Sequence, residues 1–396
     1  MSRNVPKLRF KGFEDEWENY KLGSFSEKIT EKNKGFKVKN VISNSAKNGL
    51  ISQRDFFEKD IANKNNIDGY YIIKNGDFVY NPRKSNEAPY GPINKYKFKD
   101  DGVVSPLYFC FRINNKVSNE CLEEYFKSSK WYRYVHMNSD QGARHDRVSI
   151  KDSEVMNMKI KLPSLQEQEK IANFLSKVDS IIEKQEKKVE YWNSYKKGMM
   201  QKIFSQKIRF KDDNGRDYPE WKEKKLGEIC IIVMGQSPSS ASYNDDNIGV
   251  PLVQGNADIY NKITKPRLYT SEITKICNEN DIIMSVRAPV GSIAIADRNC
   301  CIGRGVCAIK SKENQSFLYQ FLLDKEDKWG KISQGSTFES INSNDIKRLK
   351  IMIPNIKEQE KIAEFLLNID SLVQKETKEL EELRILKKGL LQQIFI

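Results

Sequence analysis

Histidine is almost missing from this sequence: His136 and His145 are the only two in 396 residues. With so few, and with no C-x-x-C or H-x-x-x-H pair, no metal site is expected. No Ser/His/Asp set for nucleophilic catalysis can be assembled either. The seven cysteines are odd in number and outline no framework of small closed loops, so they are expected to be reduced thiols. Long apolar runs are absent. The longest, residues 229–234, is too short to span a bilayer, and the opening MSRNVPKLRF has no apolar signal core, which predicts a cytoplasmic protein. No G-x-x-x-x-G-K-[ST] phosphate cradle occurs. Nor does a glycine-rich cofactor turn with an Asn/Asp-Pro-Pro-aromatic segment, the pair a DNA methyltransferase needs. The nearest string, Asn81-Pro82-Arg83-Lys84, lacks the second proline and the aromatic. Asp100-Asp101 and Asp245-Asp246 are isolated acidic pairs, without the clustered carboxylates of a nuclease. Together these absences predict recognition surfaces without chemistry of their own.

What is present is a basic chain able to fold. Hydrophobic residues make up 38%, enough for packed cores, and 67 Lys and Arg against 54 Asp and Glu leave a charge of +13. That excess is not spread evenly. Residues 1–161 carry 30 basic and 21 acidic side chains and residues 206–352 carry 22 and 19, whereas residues 162–205 and 353–396 are close to neutral. A positive surface on globular segments favours a polyanionic partner, because neutralising phosphates releases counterions.

The sequence also repeats itself. Residues 149–204 align without a gap onto residues 340–395, and 24 of the 56 positions are identical. The starts repeat too: KLRFKGFEDEWENYKLG at Lys7 matches KIRFKDDNGRDYPEWKEKKLG at Lys207 once four residues are inserted. The middles agree only weakly, GDFVYN at Gly76 with NDIIMS at Asn280. A duplicated frame with diverged middles suits two related readers of different targets.

In each repeat a long amphipathic segment follows Leu162-Pro163 or Ile353-Pro354. Ser164 can cap the first helix, with Glu167 three residues on as in a capping box. Apolar residues then step by three and four: Leu175, Val178, Ile182, Gln185, Val189, Trp192, Lys196, Met199, Ile203. The second copy gives Leu366, Ile369, Val373, Glu376, Leu380, Leu383, Lys387, Leu390, Ile394, with polar interruptions at the same two places. A helix of about 40 residues would be about 60 Å long and needs a partner for its stripe. The other copy, run antiparallel about a pseudo-twofold axis, is the expected partner, with the variable domains at opposite ends of a rod. The expected register sets Lys196 opposite Glu376 and Gln185 opposite Lys387. The predicted fold is therefore α+β: two pseudo-repeated mixed domains, residues 1–161 and 206–352, separated by two long helices, residues 162–205 and 353–396, in an antiparallel coiled coil. Lys187, Lys188, Glu379 and Glu381 on outer helix faces are read either as solvated or as docking points.

Candidate contacts fall on loops beside apolar strands, where Arg, Asn and Gln could meet base edges or phosphates. In the first domain they are Arg83, Lys84, Tyr90, Gln141, Arg144, His145 and Arg147. In the second they are Gln236, Ser237, Gln254, Asn256, Arg287, Arg304, Gln334, Ser336, Thr337 and Phe338. The first domain shows no obvious counterpart of Arg287-Ala288-Pro289-Val290-Gly291; NPRKSNEAPYGP occupies that region.

Several of these strings resemble the specificity subunit of type I restriction-modification systems, the HsdS family. They are the doubled L/I-P-x-L/I-x-E-Q-x-K-I-A opening at Leu162 and Ile353, K-K-G-L/M-L/M-Q at Lys196 and Lys387, F-x-x-x-W-x-x-x-x-L-G from Phe13 to Gly23, and Gln334-Gly335-Ser336-Thr337. The resemblance covers essentially the whole chain. It implies two target-recognition domains, each reading one half of a bipartite asymmetric DNA site, with helices that bind two methyltransferase subunits. Those partners flip and methylate adenine with S-adenosylmethionine, and two motor-nuclease subunits using ATP and Mg complete the restricting complex. By this resemblance the chain binds no cofactor and is not itself an enzyme. The alternatives are the specificity subunit of a fused restriction enzyme that cuts beside its site, or an orphan DNA-binding protein.

Overall fold

The computed structural model describes residues 4–53, 67–140, 145–326, 329 and 340–396. By its internal contacts the chain divides into two units, Met1–Glu186 with Glu379–Ile396, and Lys187–Lys378. Each contains strands, short helices and part of both long helices, Leu165–Phe204 and Ile356–Ile394. Among the described residues no helix is long and apolar enough to cross a membrane. All seven cysteines are buried and unpaired.

Each unit is built on the same sheet. In the first, strands lie in the order Ser26–Lys28, Phe109–Ile113, Phe78–Tyr80, Ile93–Lys95. In the second the order is Cys230–Met234, Val306–Ser311, Ile282–Ser285, Ile293–Ile295, continued by two further short strands. Strands Phe78–Tyr80 and Ile282–Ser285 are buried along their length, as the period-free runs FVY and IIMS require. Asp77 and Asp281 introduce them in the same way. Each is buried and accepts the backbone N–H three residues earlier, from Lys74 at 2.6 Å and from Asn278 at 2.8 Å.

The duplicated ends of the sequence meet within each unit. Strand Glu18–Lys21 pairs antiparallel with Lys159–Leu162, and Lys222–Lys225 pairs in the same register with Lys350–Ile353. These pairings aim the chain into its long helix. Ser164 Oγ and Asn355 Oδ1 then accept the N–H of Glu167 and Glu358 as helix caps. The glutamates do not turn back to close a capping box, as the spacing suggested. Glu167 is 1% exposed and receives two hydrogen bonds from Arg9, at 2.9 and 2.8 Å; Glu358 receives the same fork from Arg209, at 3.2 and 2.9 Å. A carboxylate that deep in apolar surroundings needs a cation, and the arginine of K-L/I-R-F supplies it. The neighbouring Gln168 and Gln359 donate to the carbonyls of Pro163 and Pro354, each at 2.9 Å. The E-Q of the repeated motif thus holds the helix start to its domain.

Both cores draw on the end of the other helix. In the first unit Leu391, Ile394 and Phe395 pack among Trp17, Leu22, Ile171 and Leu175; in the second Met200, Ile203 and Phe204 pack among Trp221, Leu226, Ile362 and Leu366. One backbone bond marks the equivalence. The Ile208 N–H donates to Lys202 O (3.2 Å) between residues close in sequence, and the Leu8 N–H donates to Gln393 O (3.1 Å) between residues far apart in sequence.

The helices pair antiparallel, as expected. In the first unit Asp179 meets Lys387 and Glu186 meets Arg384 (2.6 Å); in the second Lys188 meets Glu376 (2.8 Å) and Lys196 meets Asp370 (2.6 Å). The register differs from the expected one. Lys196 sits opposite Asp370 and Lys387 opposite Asp179, six residues away from Glu376 and Gln185, or about 9 Å along the axis. The expectation paired polar seam residues with one another. Each seam lysine instead reaches sideways to an aspartate flanking the seam, as a long aliphatic stem allows, and Lys188 is taken up by the seam residue Glu376 in the same manner. Lys196–Asp370 and Lys387–Asp179 are equivalent pairs under the repeat. We expect Lys196→Asp to destabilise the second unit, and Asp370→Lys added to it to restore stability, with a coupling of about 1–2 kcal/mol in a double-mutant denaturation cycle. A coupling near zero would mean the pair is solvated and contributes nothing.

Candidate nucleic-acid interface

In the second unit three strand ends are pressed together above the sheet. The Gly235 N–H donates to Val306 O (3.0 Å), the Gln236 N–H to Ile302 O (2.9 Å) and the Gly303 N–H to Val253 O (2.8 Å). Only glycine fits where they cross. A Cβ on Gly235 would lie 2.1 Å from Gly303 O, and one on Gly305 would lie 2.2 Å from Gln254 O. The crossing brings Ser237, Gln254, Asn256, Arg287 and Arg304, all predicted contact residues, to the wall of one cleft of about 650 Å³. Ser237 Oγ accepts the Arg304 N–H at 3.1 Å, and buried Asp258 accepts the Gln254 N–H at 2.8 Å while held by Arg267 at 2.9 Å. The backbone of the cleft is thus fixed by internal bonds. Among the described residues no carboxylate pairs with Arg287 or Arg304, so the cleft presents two free guanidiniums. Gln236 is exposed just outside this wall.

A second cleft, of about 380 Å³, lies in the first unit and is lined by Arg83, Lys84 and Arg147 together with Asn44 and Tyr108. Its floor is a small amide network. Asn44 donates to Val79 O (2.7 Å) and accepts from Asn94 (2.6 Å), and Asn81 donates to Asn44 O (2.9 Å) and accepts the Arg83 N–H (3.1 Å). Burial pushes the Tyr108 phenol up, against the opposing influence of Arg83 and Arg147. It therefore remains a neutral hydrogen-bonding group beside a basic edge. Tyr90 lies elsewhere: its hydroxyl is 3.1 Å from His136 Nδ1 and its ring packs against Tyr132. His145 is exposed and outside the lining. Gln141, Arg144, Gln334, Ser336, Thr337 and Phe338 lie outside the described residues.

Sequence reasoning did not single out Asn44, Tyr108, Tyr243 and Asp258. It also passed over the glycines, although Gly235-Gln236, Gln254-Gly255 and Gly303-Arg304-Gly305 each set glycine beside a polar residue at a strand end. It missed the relation between the two loops as well. Asn81 N–H donates to Pro92 O (3.0 Å) and Ser285 N–H to Ser292 O (2.9 Å), closing equivalent hairpins. Within them Arg83 and Ala88-Pro89-Tyr90-Gly91 correspond to Arg287 and Ala288-Pro289-Val290-Gly291, and Gly91 and Gly291 both have positive φ. The counterpart thought to be missing is present, interrupted by Lys84-Ser85-Asn86-Glu87.

Among the described residues no three His, Cys, Asp or Glu side chains gather as they would around a metal ion. What the clefts offer is hydrogen-bond donors, acceptors and fixed positive charge on rigid backbone, the equipment for reading a polyanion.

The comparisons with known proteins agree. The model of the type I restriction modification DNA specificity domain matches twice, over residues 14–191 and 218–384. The MjaX type I restriction enzyme specificity subunit of Methanocaldococcus jannaschii is 33% identical over 352 residues, covering 85% of this chain and 80% of that protein. The MjaVIII specificity subunit of the same organism is 27% identical over 257 residues, 59% of this chain and 60% of that one. In fold, the chain resembles one from a structure of type I restriction-modification complex assembly, with TM-score 0.61, 23% identity and coverage of 98% and 99%. It also resembles the S subunit of the type I system of M. genitalium, with TM-score 0.57, 15% identity and 99% of both chains. The doubled domain match and a relative 33% identical over 85% of this chain together establish that the chain belongs to the type I restriction-modification DNA specificity family, as a specificity subunit and not as a catalytic one.

Proposed function

We propose that residues 1–161 and 206–352 each read one half of a bipartite asymmetric DNA site, and that residues 162–205 and 353–396 space them and dock partner subunits. The observation that carries this reading is the pair of unlike basic clefts on one repeated frame. A shared frame with different walls is what two different half-sites require. The cleft residues Arg83, Lys84, Arg147, Ser237, Gln254, Asn256, Arg287 and Arg304 are the assigned DNA contacts, with Gln141, Arg144, Gln334, Ser336, Thr337 and Phe338, read from the sequence alone, as further contacts.

The helices leave apolar side chains on the surface: Ile181, Ile385 and Leu386 in the first unit, and Tyr191, Tyr195 and Leu372 in the second. Faces of this kind suit helices of two methyltransferase subunits. Those partners would bring S-adenosylmethionine and methylate an adenine taken out of the stack. Two motor-nuclease subunits using ATP and Mg would complete the cytoplasmic restricting complex.

Genome-wide adenine-methylation mapping tests the reading. Deleting this gene should abolish methylation at one split asymmetric motif, and replacing residues 206–352 with the corresponding segment of a relative should change only one half of it. Methylation unaltered by the deletion would remove the specificity role in the host.

A further inference from the structure

Two arginines occupy the same place on reading faces that otherwise differ. The sheet pairings align Phe78, opposite Phe111 and Lys95, with Ile282, opposite Ile309 and Ile295. Five residues beyond these, Arg83 bridges to Arg147 and Arg287 bridges to Ser340. One residue earlier, Pro82 O accepts the Val148 N–H (2.8 Å) and Val286 O accepts the Ile341 N–H (3.0 Å). Both side chains are exposed, and neither has an ion-pair partner among the described residues. Their surroundings do not match. Arg83 stands beside Lys84, Tyr108 and Arg147, whereas Arg287 stands beside Gln254, Asn256 and Arg304.

Resting on the DNA-specificity reading, we infer that Arg83 and Arg287 grip the DNA phosphate backbone in the same way at the two half-sites, and that base choice falls to the unmatched residues around them. Half-sites of different sequence have the backbone in common. A contact repeated in both domains therefore suits the element common to both targets, and a guanidinium without a carboxylate can meet a phosphate through two parallel N–H bonds. Such contacts fix register and carry no sequence information. The residues that differ in position carry the information: Gln254, Asn256 and Arg304 in the second cleft, Lys84, Tyr108 and Arg147 in the first. Lys84 and Ser85 of the four-residue insertion line the first cleft, and the insertion leaves Arg83 on the ladder.

The test uses the full chain assembled with its methyltransferase subunits. Binding is measured across a KCl series to duplexes carrying the mapped motif, the motif with either half scrambled, and both halves scrambled. Arg83→Ala and Arg287→Ala should each weaken binding to all four duplexes by a similar factor. Each should also lower the slope of log K against log salt by about 1. Arg83→Lys and Arg287→Lys should retain the slope, and unchanged melting curves should show that the fold is intact. Arg304→Ala, in contrast, should weaken only duplexes whose second-domain half is intact. An unchanged slope, with the loss confined to duplexes holding one intact half, would overturn the inference and make the arginine a base reader. Failure of the unsubstituted complex to distinguish the mapped motif from the doubly scrambled duplex would instead refute the specificity reading beneath it.

Discussion

Arg9→Ala is expected to destabilise the first unit by about 3–5 kcal/mol, a large part of what holds a domain folded. Glu167 is 1% exposed, and the Arg9 fork is its charge partner. Truncating the arginine leaves a carboxylate in apolar surroundings with no cation. The equivalent change, Arg209→Ala, should cost less by about 1 kcal/mol. Glu358 also accepts the indole N–H of Trp221 at 3.2 Å, whereas the buried indole N–H of the equivalent Trp17 has no partner among the described residues. Hydrogen exchange resolved by peptide measures the two units separately. The expected result is loss of protection around residues 165–175 in Arg9→Ala, and a smaller loss around residues 356–366 in Arg209→Ala. Equal effects would show that the tryptophan bond contributes nothing. Negligible effects would show that the buried pairs do not hold the helix starts.

The second large effect is expected at the glycine crossing. Gly235→Ala and Gly305→Ala each place a Cβ within 2.2 Å of a carbonyl oxygen, and the opposing atoms are backbone, which cannot swing aside as a side chain does. Each substitution should cost about 3 kcal/mol. Each should also abolish reading of the half-site assigned to the second domain, although neither glycine offers a side chain to DNA. Gly255→Ala is the control within the same cleft, because a Cβ there meets nothing within 4 Å. Melting temperature together with binding to duplexes scrambled in one half tests this. Discrimination retained by Gly305→Ala would refute the claim that the strand crossing sets the reading face.

Much of this architecture is legible in the sequence because duplication amplifies weak signals. A single heptad seam could belong to many helices, but two seams with polar breaks at the same positions imply an antiparallel pair, and residues 179–196 and 370–387 show it. The register was not legible. It depends on flanking aspartates, and the seam pattern carries no information about its flanks. The capping glutamates were misread for a related reason: spacing along the chain marks Glu167 as a cap partner, but Arg9 lies 158 residues away. The first-domain loop was missed because four inserted residues separate Arg83 from Ala88-Pro89, and only the strand pairings on either side restore the alignment. Cleft residues at strand ends were visible as Gln, Asn and Arg beside glycine. Asn44 and Tyr108 were not, since they sit within ordinary-looking strand and turn sequence.

The packing of Leu391, Ile394 and Phe395 against Trp17 and Leu175 has a consequence for how the molecule is made. A ribosome releases the chain from its first residue onward, so the first unit lacks part of its core until the final turn of the second helix has emerged. At about 5–20 residues per second, the roughly 200 residues after Glu186 take on the order of 10–40 s. The second unit, bounded by Lys187 and Lys378, has all its parts sooner. The half of the protein synthesised first is therefore the half that finishes folding last, and a released chain truncated before residue 391 would hold one complete unit and one with its hydrophobic interior still open.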